Sequence, residues 1–306
     1  MRFFRFNVYR VVLYICITSN KMEKIPVRHI TNSPTTSNSS ENFSIRNLED
    51  LLSEKDLMED LHRHDFFHIL VLKKGKGFHE IDFINHEVKD HTVFFVRPGQ
   101  AHRLELDALC SGYMIKMNAA FFNSENKTSN QYLRKTGIQN YYPLDGNQFQ
   151  KILYPLDYIF EEYNTKRENH LEIIKANLSI FFMELTREQK KTTAEKTNLY
   201  AQERLEEFLA LLETHIFTQK QVSAYAEMLN LTSYQLNAIT KTILDKTASE
   251  IITETIILES KRYLLATTNQ VSQIADYMGY DDVSYFIRLF KKHTGFSPET
   301  FRQNFK

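Results

Sequence analysis

The sequence predicts an α+β protein: an N-terminal β-barrel, connecting helices, and a C-terminal all-α domain with two helix-turn-helix units joined by a long helix. Three observations carry this. Between Phe66 and Met117, short apolar runs alternate with closely spaced turn signals. After Pro143-Leu144-Asp145-Gly146 the apolar spacing changes to the i, i+3, i+4 pattern of helices. From Asn198 onward everything reads helical, and a unit of about fifty residues occurs twice.

Length and composition set the outer bounds. A chain of 306 residues suggests two domains of ordinary size. With 42% hydrophobic residues it has enough apolar material for real cores, which excludes global disorder. Lys and Arg number 38, as do Asp and Glu, so net charge points to neither nucleic acid nor membrane. DNA binding needs only a local basic patch. The two cysteines, Cys16 and Cys110, make no disulfide framework, which fits a reducing compartment and a cytoplasmic location. No stretch approaches the ~20 apolar residues of a membrane helix, so no membrane partner is expected.

The segments follow in order. Residues 1–21 resemble a weak signal peptide, but the apolar run Val11–Ile17 is short and no small-residue cleavage site follows it. Met22 begins a plausible soluble start, so 1–21 is expected to be a disordered extension or a misassigned start. Residues 22–60 are expected to form a flexible arm, rich in Ser, Thr and Asn between Thr31 and Ser44. Residues 61–146 form the barrel, with a hairpin around Lys73-Lys74-Gly75-Lys76-Gly77 and a turn at Pro98-Gly99. Residues 147–190 carry two amphipathic helices whose stripes include Ile152, Leu156, Ile159 and Phe160, then Ile173, Ile174, Leu178, Phe181, Phe182 and Leu185. These stripes would either pack on the barrel or form a dimer face, and dimerisation is favoured. Residues 191–197 are a polar linker, and 198–306 the second domain.

The repeat inside that domain points to function. "AEMLNLTSYQLNAITKTILDKTASEI" lies over "ADYMGYDDVSYFIRLFKKHTGFSPETF" once one extra residue is allowed. Each unit is a short helix, a tight turn at Asn230 or Gly279, and a second helix capped at Thr232 or Ser233, or at Asp281 or Asp282. Between the units, Thr247–Thr268 reads as one helix of about twenty residues, ~30 Å long at 1.5 Å per residue. One turn of B-DNA is ~34 Å, so such a spacer sets two helices into successive major grooves on one face of the duplex. Basic charge gathers on the last unit: from Lys261 to Lys306 there are seven basic and four acidic residues. From Asn198 to Ser260 there are four basic and nine acidic residues.

"IADYMGYDDVSYFIRLFKKHTGFSPETFR" resembles the signature of the AraC/XylS family of bacterial transcription regulators, over roughly Leu205–Arg302. The resemblance implies that the second helix of each unit reads bases. In the first unit the readers would be Ser233, Tyr234, Asn237 and Ala238, with Lys241 near phosphate. In the second they would be Val283, Ser284, Tyr285, Ile287 and Arg288, with Lys291 and Lys292 near phosphates. Arg288 is suited to a bidentate contact with guanine and Asn237 to one with adenine. Ala238 and Ile287 depart from the usual residues at their positions and are suited to a thymine methyl.

In the barrel, "HRHDFFHILVLKKG" and "VRPGQAH" resemble the two motifs of the cupin barrel, H-x-H-x3-E-x6-G and a later P-G-x-x-H. His62, His64 and Gly75 keep the spacing, His68 stands where the glutamate would be, and His102 closes the second motif. Alternate residues of a strand point the same way, so such histidines suit either a metal ion or a hydrogen-bonded ligand. Sensor barrels of this kind have usually lost the metal. The expectation is therefore that His62, His64, His68 and His102 bind a small, sugar-like effector, with no metal and no cofactor. His79, His86 and His91 are expected on exposed strands or turns.

The reading is a non-enzymatic, effector-controlled transcription regulator. Its partners would be double-stranded promoter DNA, a small-molecule effector and a second copy in a homodimer, with RNA polymerase as a further candidate. The alternative is a metal-dependent cupin enzyme with a helical appendage, which stoichiometric metal and turnover would distinguish.

Overall fold

The computed structural model describes residues 22–30, 42–53, 55–122, 127–189 and 199–305. The proposed extension at 1–21 and the linker at 191–197 lie outside them.

Among the described residues, ten strands build the N-terminal domain: β1 (Val27–Arg28), β2 (Phe43–Asn47), β3 (Leu57–His64), β4 (Phe67–Lys74), β5 (Gly77–Ile81), β6 (Ile84–Val88), β7 (Thr92–Val96), β8 (Ala101–Leu106), β9 (Ser111–Met117) and β10 (Tyr141–Pro143). They form two five-stranded sheets, ordered β1-β3-β8-β5-β6 and β10-β7-β4-β9-β2. All pairings are antiparallel except β1 with β3. The sheets face each other over Leu70, Leu72, Phe94, Val96 and Met114 from one and Ile81, Val88, Leu104 and Leu106 from the other. Short helices α1 (Leu48–Leu52), α2 (Ala119–Phe122) and α3 (Lys127–Thr136) interrupt the strands. α3 escapes a periodicity reading because its sequence, KTSNQYLRKT, is mostly polar.

The second sheet is buried on both faces, which explains why β4, β7 and β9 are nearly continuous apolar runs. Ile69, Val71, Val93, Phe95, Tyr113 and Ile115 point away from the barrel interior, into a second core. There they meet α4 (Gly146–Thr165) and α5 (His170–Gln189), through Ile152, Leu156, Ile159, Ile174, Leu178, Phe181, Phe182 and Leu185. The amphipathic stripes are thus consumed inside the chain. What α4 leaves in solvent is a different face, with Tyr154 at 72% exposure and Tyr158 at 45%.

The segment expected to be a flexible arm departs from that reading. Within 22–60 the described residues include β1, β2, α1 and half of β3. Ile25 is 3% exposed and lies in a core of the C-terminal domain beside Ile257, Leu264, Ile274 and Phe290. Glu23 accepts through its carboxylate from the Thr268 backbone N–H at 2.7 Å, and its own N–H donates to Asn269 Oδ1 at 2.8 Å. A single apolar residue in a polar stretch gives no periodicity, so this anchor could not be read from the sequence.

The C-terminal domain holds α6 (Leu199–His215), α7 (Val222–Met228), α8 (Ser233–Leu244), α9 (Ala248–Ala266), α10 (Val271–Tyr277), α11 (Val283–Thr294) and α12 (Pro298–Phe305). α9 serves two cores. Ile251, Ile252 and Ile256 pack with α6, α7 and α8, whereas Ile257, Tyr263 and Leu264 pack with α10, α11 and α12. Its 19 residues span ~28 Å at 1.5 Å per residue.

Candidate DNA interface and effector site

The two helix pairs share their turn chemistry in detail. Asn230 has φ 55° and Gly279 φ 72°, each two residues past the first helix of its pair. The following N–H groups donate alike: Leu231 to the Ala226 carbonyl at 2.8 Å and Tyr280 to the Ala275 carbonyl at 2.9 Å. Asparagine tolerates the left-handed region. At Gly279 glycine is also required by space, because a Cβ would lie 2.6 Å from the Phe217 carbonyl oxygen. Thr232 caps α8 in a capping box with Gln235. Asp282 caps α11, its Oδ1 accepting from Ser284 N at 2.8 Å and Tyr285 N at 3.1 Å. Of the acidic pair, only Asp282 is the cap.

The reading helices present some predicted residues and withhold others. On α8, Tyr234 is 83% exposed, and Ala238 and Lys241 are also exposed. Ser233 is half-buried. Asn237 is half-buried too, and its Oδ1 accepts from the Ala248 backbone N–H at 2.9 Å, which ties α8 to the start of α9. That bond uses one of the oxygen's two lone pairs and restrains the side chain that a bidentate adenine contact would have to use. On α11, Ser284, Tyr285, Arg288, Lys291 and Lys292 are exposed. Val283 and Ile287 are half-buried against the core, so their contribution is to seat the helix. Arg288 Nη2 stands 3.9 Å from Asp282 Oδ2 with both side chains well exposed, a loose pair that leaves the guanidinium available.

The local basic excess is narrower than the residue count suggests. Arg302 donates through Nε to the Leu264 carbonyl at 3.0 Å and through Nη2 to the Asn269 carbonyl. Arg262 is buried in an ion-pair lattice. Among the described residues, the exposed lysines and arginines of the second unit are Arg288, Lys291 and Lys292, all on α11.

In the barrel, His62, His64, His68 and His102 lie together at 0–3% exposure, as predicted to meet. His79 joins them at 0% exposure, against the expectation of an exposed strand residue. The signal was present: Gly77, His79 and Ile81 alternate on β5, and Ile81 marks that face as interior. His62 Nε2 and His102 Nε2 lie 3.1 and 2.6 Å from His64 Nε2. His79 Nε2 lies 3.0 Å from His102 Nδ1, and His62 Nδ1 2.6 Å from the Asp60 carbonyl oxygen. Burial lowers all five pKa values, to about 2 at His64 and about 3 at His79. The cluster is neutral at physiological pH.

The outward side of the same strands meets the C-terminal domain. Arg63, between His62 and His64, points the other way and donates through Nη2 to Glu259 Oε2 at 2.7 Å. Asp82 follows β5 and accepts from the Ala101 N–H at 3.1 Å and from Gln100 Nε2 at 2.8 Å, beside His102. Asp82 also accepts from Arg262 Nε at 2.8 Å, and Arg262 Nη1 donates to Glu259. Burial opposes the Arg262 charge, but the Asp82 and Glu259 carboxylates more than offset it and raise its pKa. The lattice has side-chain exposures of 8–11% and borders a cavity of about 370 Å³ between the domains.

Paired helix-turn-helix units behind an effector-type barrel define a DNA-binding regulator with a ligand-binding domain. Family models agree: an AraC-like ligand binding domain matches residues 53–209 and a helix-turn-helix domain residues 225–304. The chain belongs to the AraC family of DNA-binding transcription regulators. The HTH-type transcriptional activator RhaS of Escherichia coli O157:H7 (strain EC4115 / EHEC) is 24% identical over 263 residues, covering 84% of this chain and 91% of that protein. RhaS of Escherichia coli (strain SE11) is 25% identical over 263 residues, with the same coverage. Among solved structures, unsaturated fatty acid bound ToxT from Vibrio cholerae strain SCE256 aligns over 87% of this chain and 97% of its own, at 16% identity and a TM-score of 0.41. Among the described residues, no helix is long and apolar enough to cross a membrane.

Proposed function

We propose that this regulator reads promoter DNA with α8 and α11 in successive major grooves, and that a small polar, sugar-like effector in the barrel sets its DNA affinity. The role is non-enzymatic and cytoplasmic. Tyr234, Ala238 and Lys241 serve the first half-site; Tyr285, Arg288, Lys291 and Lys292 serve the second. A homodimer through the exposed face of α4, around Tyr154 and Tyr158, would match paired half-sites. The two RhaS proteins are transcriptional activators, so activation with RNA polymerase as partner is the sign of control we favour.

One observation carries the coupling of effector to DNA. β3 alternates His62, Arg63 and His64, so neighbouring residues of one strand face the barrel interior and α9. α9 joins both helix-turn-helix units, so a shift of β3 or β8 around a ligand bears directly on the spacing of the two readers. A coupling free energy of 1–3 kcal/mol, or about 5- to 150-fold in affinity, is typical of such devices.

The test is a thermal-shift screen of monosaccharides followed by DNA titration. A sugar that raises Tm should change DNA affinity in the wild type and leave it unchanged in Asp82→Asn, which should still bind DNA. A sugar that binds the barrel and moves DNA affinity equally in both proteins would refute this route.

A further inference from the structure

α9 is not the sole link between the two helix-turn-helix units. The loop from Ile216 to Gln221 belongs to the first unit, in whose core Ile216 is buried. Its backbone is tied down from several sides. Thr218 and Gln219 donate through their N–H groups to the His215 carbonyl at 3.0 and 2.7 Å. Gln219 Oε1 accepts from the Lys220 and Gln221 N–H groups at 3.0 and 3.1 Å. The Tyr225 hydroxyl donates to the Gln219 carbonyl at 2.8 Å. A loop held this way transmits position.

This loop closes on the turn of the second unit. The Phe217 ring meets the Tyr277 ring of α10 with centroids 4.7 Å apart. The Phe217 carbonyl oxygen and Lys220 Nζ lie so near Gly279 that a Cβ there would stand 2.6 and 2.5 Å from them. Lys220 Nζ also sits 5.0 Å from the centroid of the Tyr280 ring, within range of a cation–π attraction. Burial lowers the Lys220 pKa, and the Asp281 carboxylate opposes that shift. Phe217 and Tyr280 each pack against both cores of the domain. Tyr280 in turn meets Tyr285 and Phe286 of α11, at 5.8 and 5.6 Å between centroids. The contact therefore reaches the second reading helix.

Two bodies joined through one helix keep some freedom to rotate, because helices bend. A second contact off the helix axis removes that freedom. On DNA the consequence is one of phase. Successive base pairs differ by about 34° around a duplex of roughly 10.5 base pairs per turn. A loosely joined second unit can follow a half-site shifted by one base pair, and a clamped one cannot. We propose that Phe217 and Lys220 are positioning residues that clamp the second unit at Gly279 and Tyr280 and so fix the half-site spacing the protein accepts. The proposal rests on the reading that α8 and α11 occupy successive grooves. In it, α9 sets the distance between the readers and the loop sets their rotation.

The test is equilibrium binding of the full-length protein to the promoter fragment beside its own gene, and to versions with one base pair inserted or deleted between the two protected patches. Wild type should prefer the native spacing by at least about tenfold, because the DNA must twist to meet a rigid reader. Lys220→Met and Phe217→Ala should each weaken binding at the native spacing through lost pre-organisation, and should cut the preference to about threefold or less. Lys220→Arg keeps a cation over the Tyr280 ring and should keep the preference. Circular dichroism identifies any variant that fails to fold, in which case the other variant and the wild-type spacing series decide. Folded variants that lose affinity in equal proportion at every spacing, or that keep the wild-type preference, overturn the clamp and leave the two-groove reading standing. A wild type indifferent to spacing overturns both.

Discussion

Arg262→Ala is expected to destabilise the protein by about 3–5 kcal/mol, the usual cost of removing one partner from a buried ion pair. The guanidinium is 8% exposed and holds Asp82 and Glu259, both at 11%. Its removal leaves two buried carboxylates facing each other with only Arg63 to offset them, through Glu259. The loss is expected in the cross-domain contact first, because Asp82 belongs to the barrel and Glu259 to α9. Urea unfolding should show a lower midpoint, with a separate early transition as the domains part. Replacing Arg262, Asp82 and Glu259 together by apolar residues of similar size should cost far less than Arg262→Ala alone, because no charge is stranded. An Arg262→Ala midpoint within about 0.5 kcal/mol of wild type, the range of ordinary surface changes, would mean that the lattice does not join the domains.

The second large effect concerns DNA. Lys291→Ala with Lys292→Ala is expected to weaken binding about 30-fold at 0.15 M salt. The figure follows from counterion release, which gives each phosphate contact a slope near 0.9 in log affinity against log salt, or roughly fivefold per lysine at that concentration. The slope itself should fall by about 2, and the loss should be nearly equal for all sequences. Arg288→Ala should differ in kind: about 1–3 kcal/mol at the cognate site and relaxed preference at one base pair. Both lysines are exposed on the α11 face that carries Arg288. A double variant with unchanged affinity and slope would remove α11 from the interface.

The parts of the fold that depend on periodicity were legible in the sequence. The β texture, the two stripes of α4 and α5, and the doubled helix-turn-helix all arise from local spacing. Asn230 and Gly279 marked the turns because few residues occupy the left-handed region. Contacts between distant elements were not legible. Nothing near Ile25 signals that it enters a core some 230 residues away in sequence, between Ile257 and Phe290. Arg262 and Arg302 counted as surface charge until their partners became visible, since a basic residue on a helix carries no sign of what will cover it. Asn237 likewise matched a reader by position, while its oxygen closes the junction with α9. In the barrel, alternation placed His62, His64 and His102 correctly. His79 is polar, and only Ile81 two residues on marks its side of β5 as interior.

The central claim is that two reading helices, held apart by α9, occupy successive grooves. Hydroxyl-radical footprinting of the DNA flanking the protein's own gene tests it most directly. Two protected patches about one helical turn apart on one face of the duplex are expected. Tyr234→Ala on α8 should erase one patch, and the Lys291 and Lys292 substitutions on α11 the other. A single patch that fades uniformly with either set of substitutions, or no protection by folded protein, would contradict it.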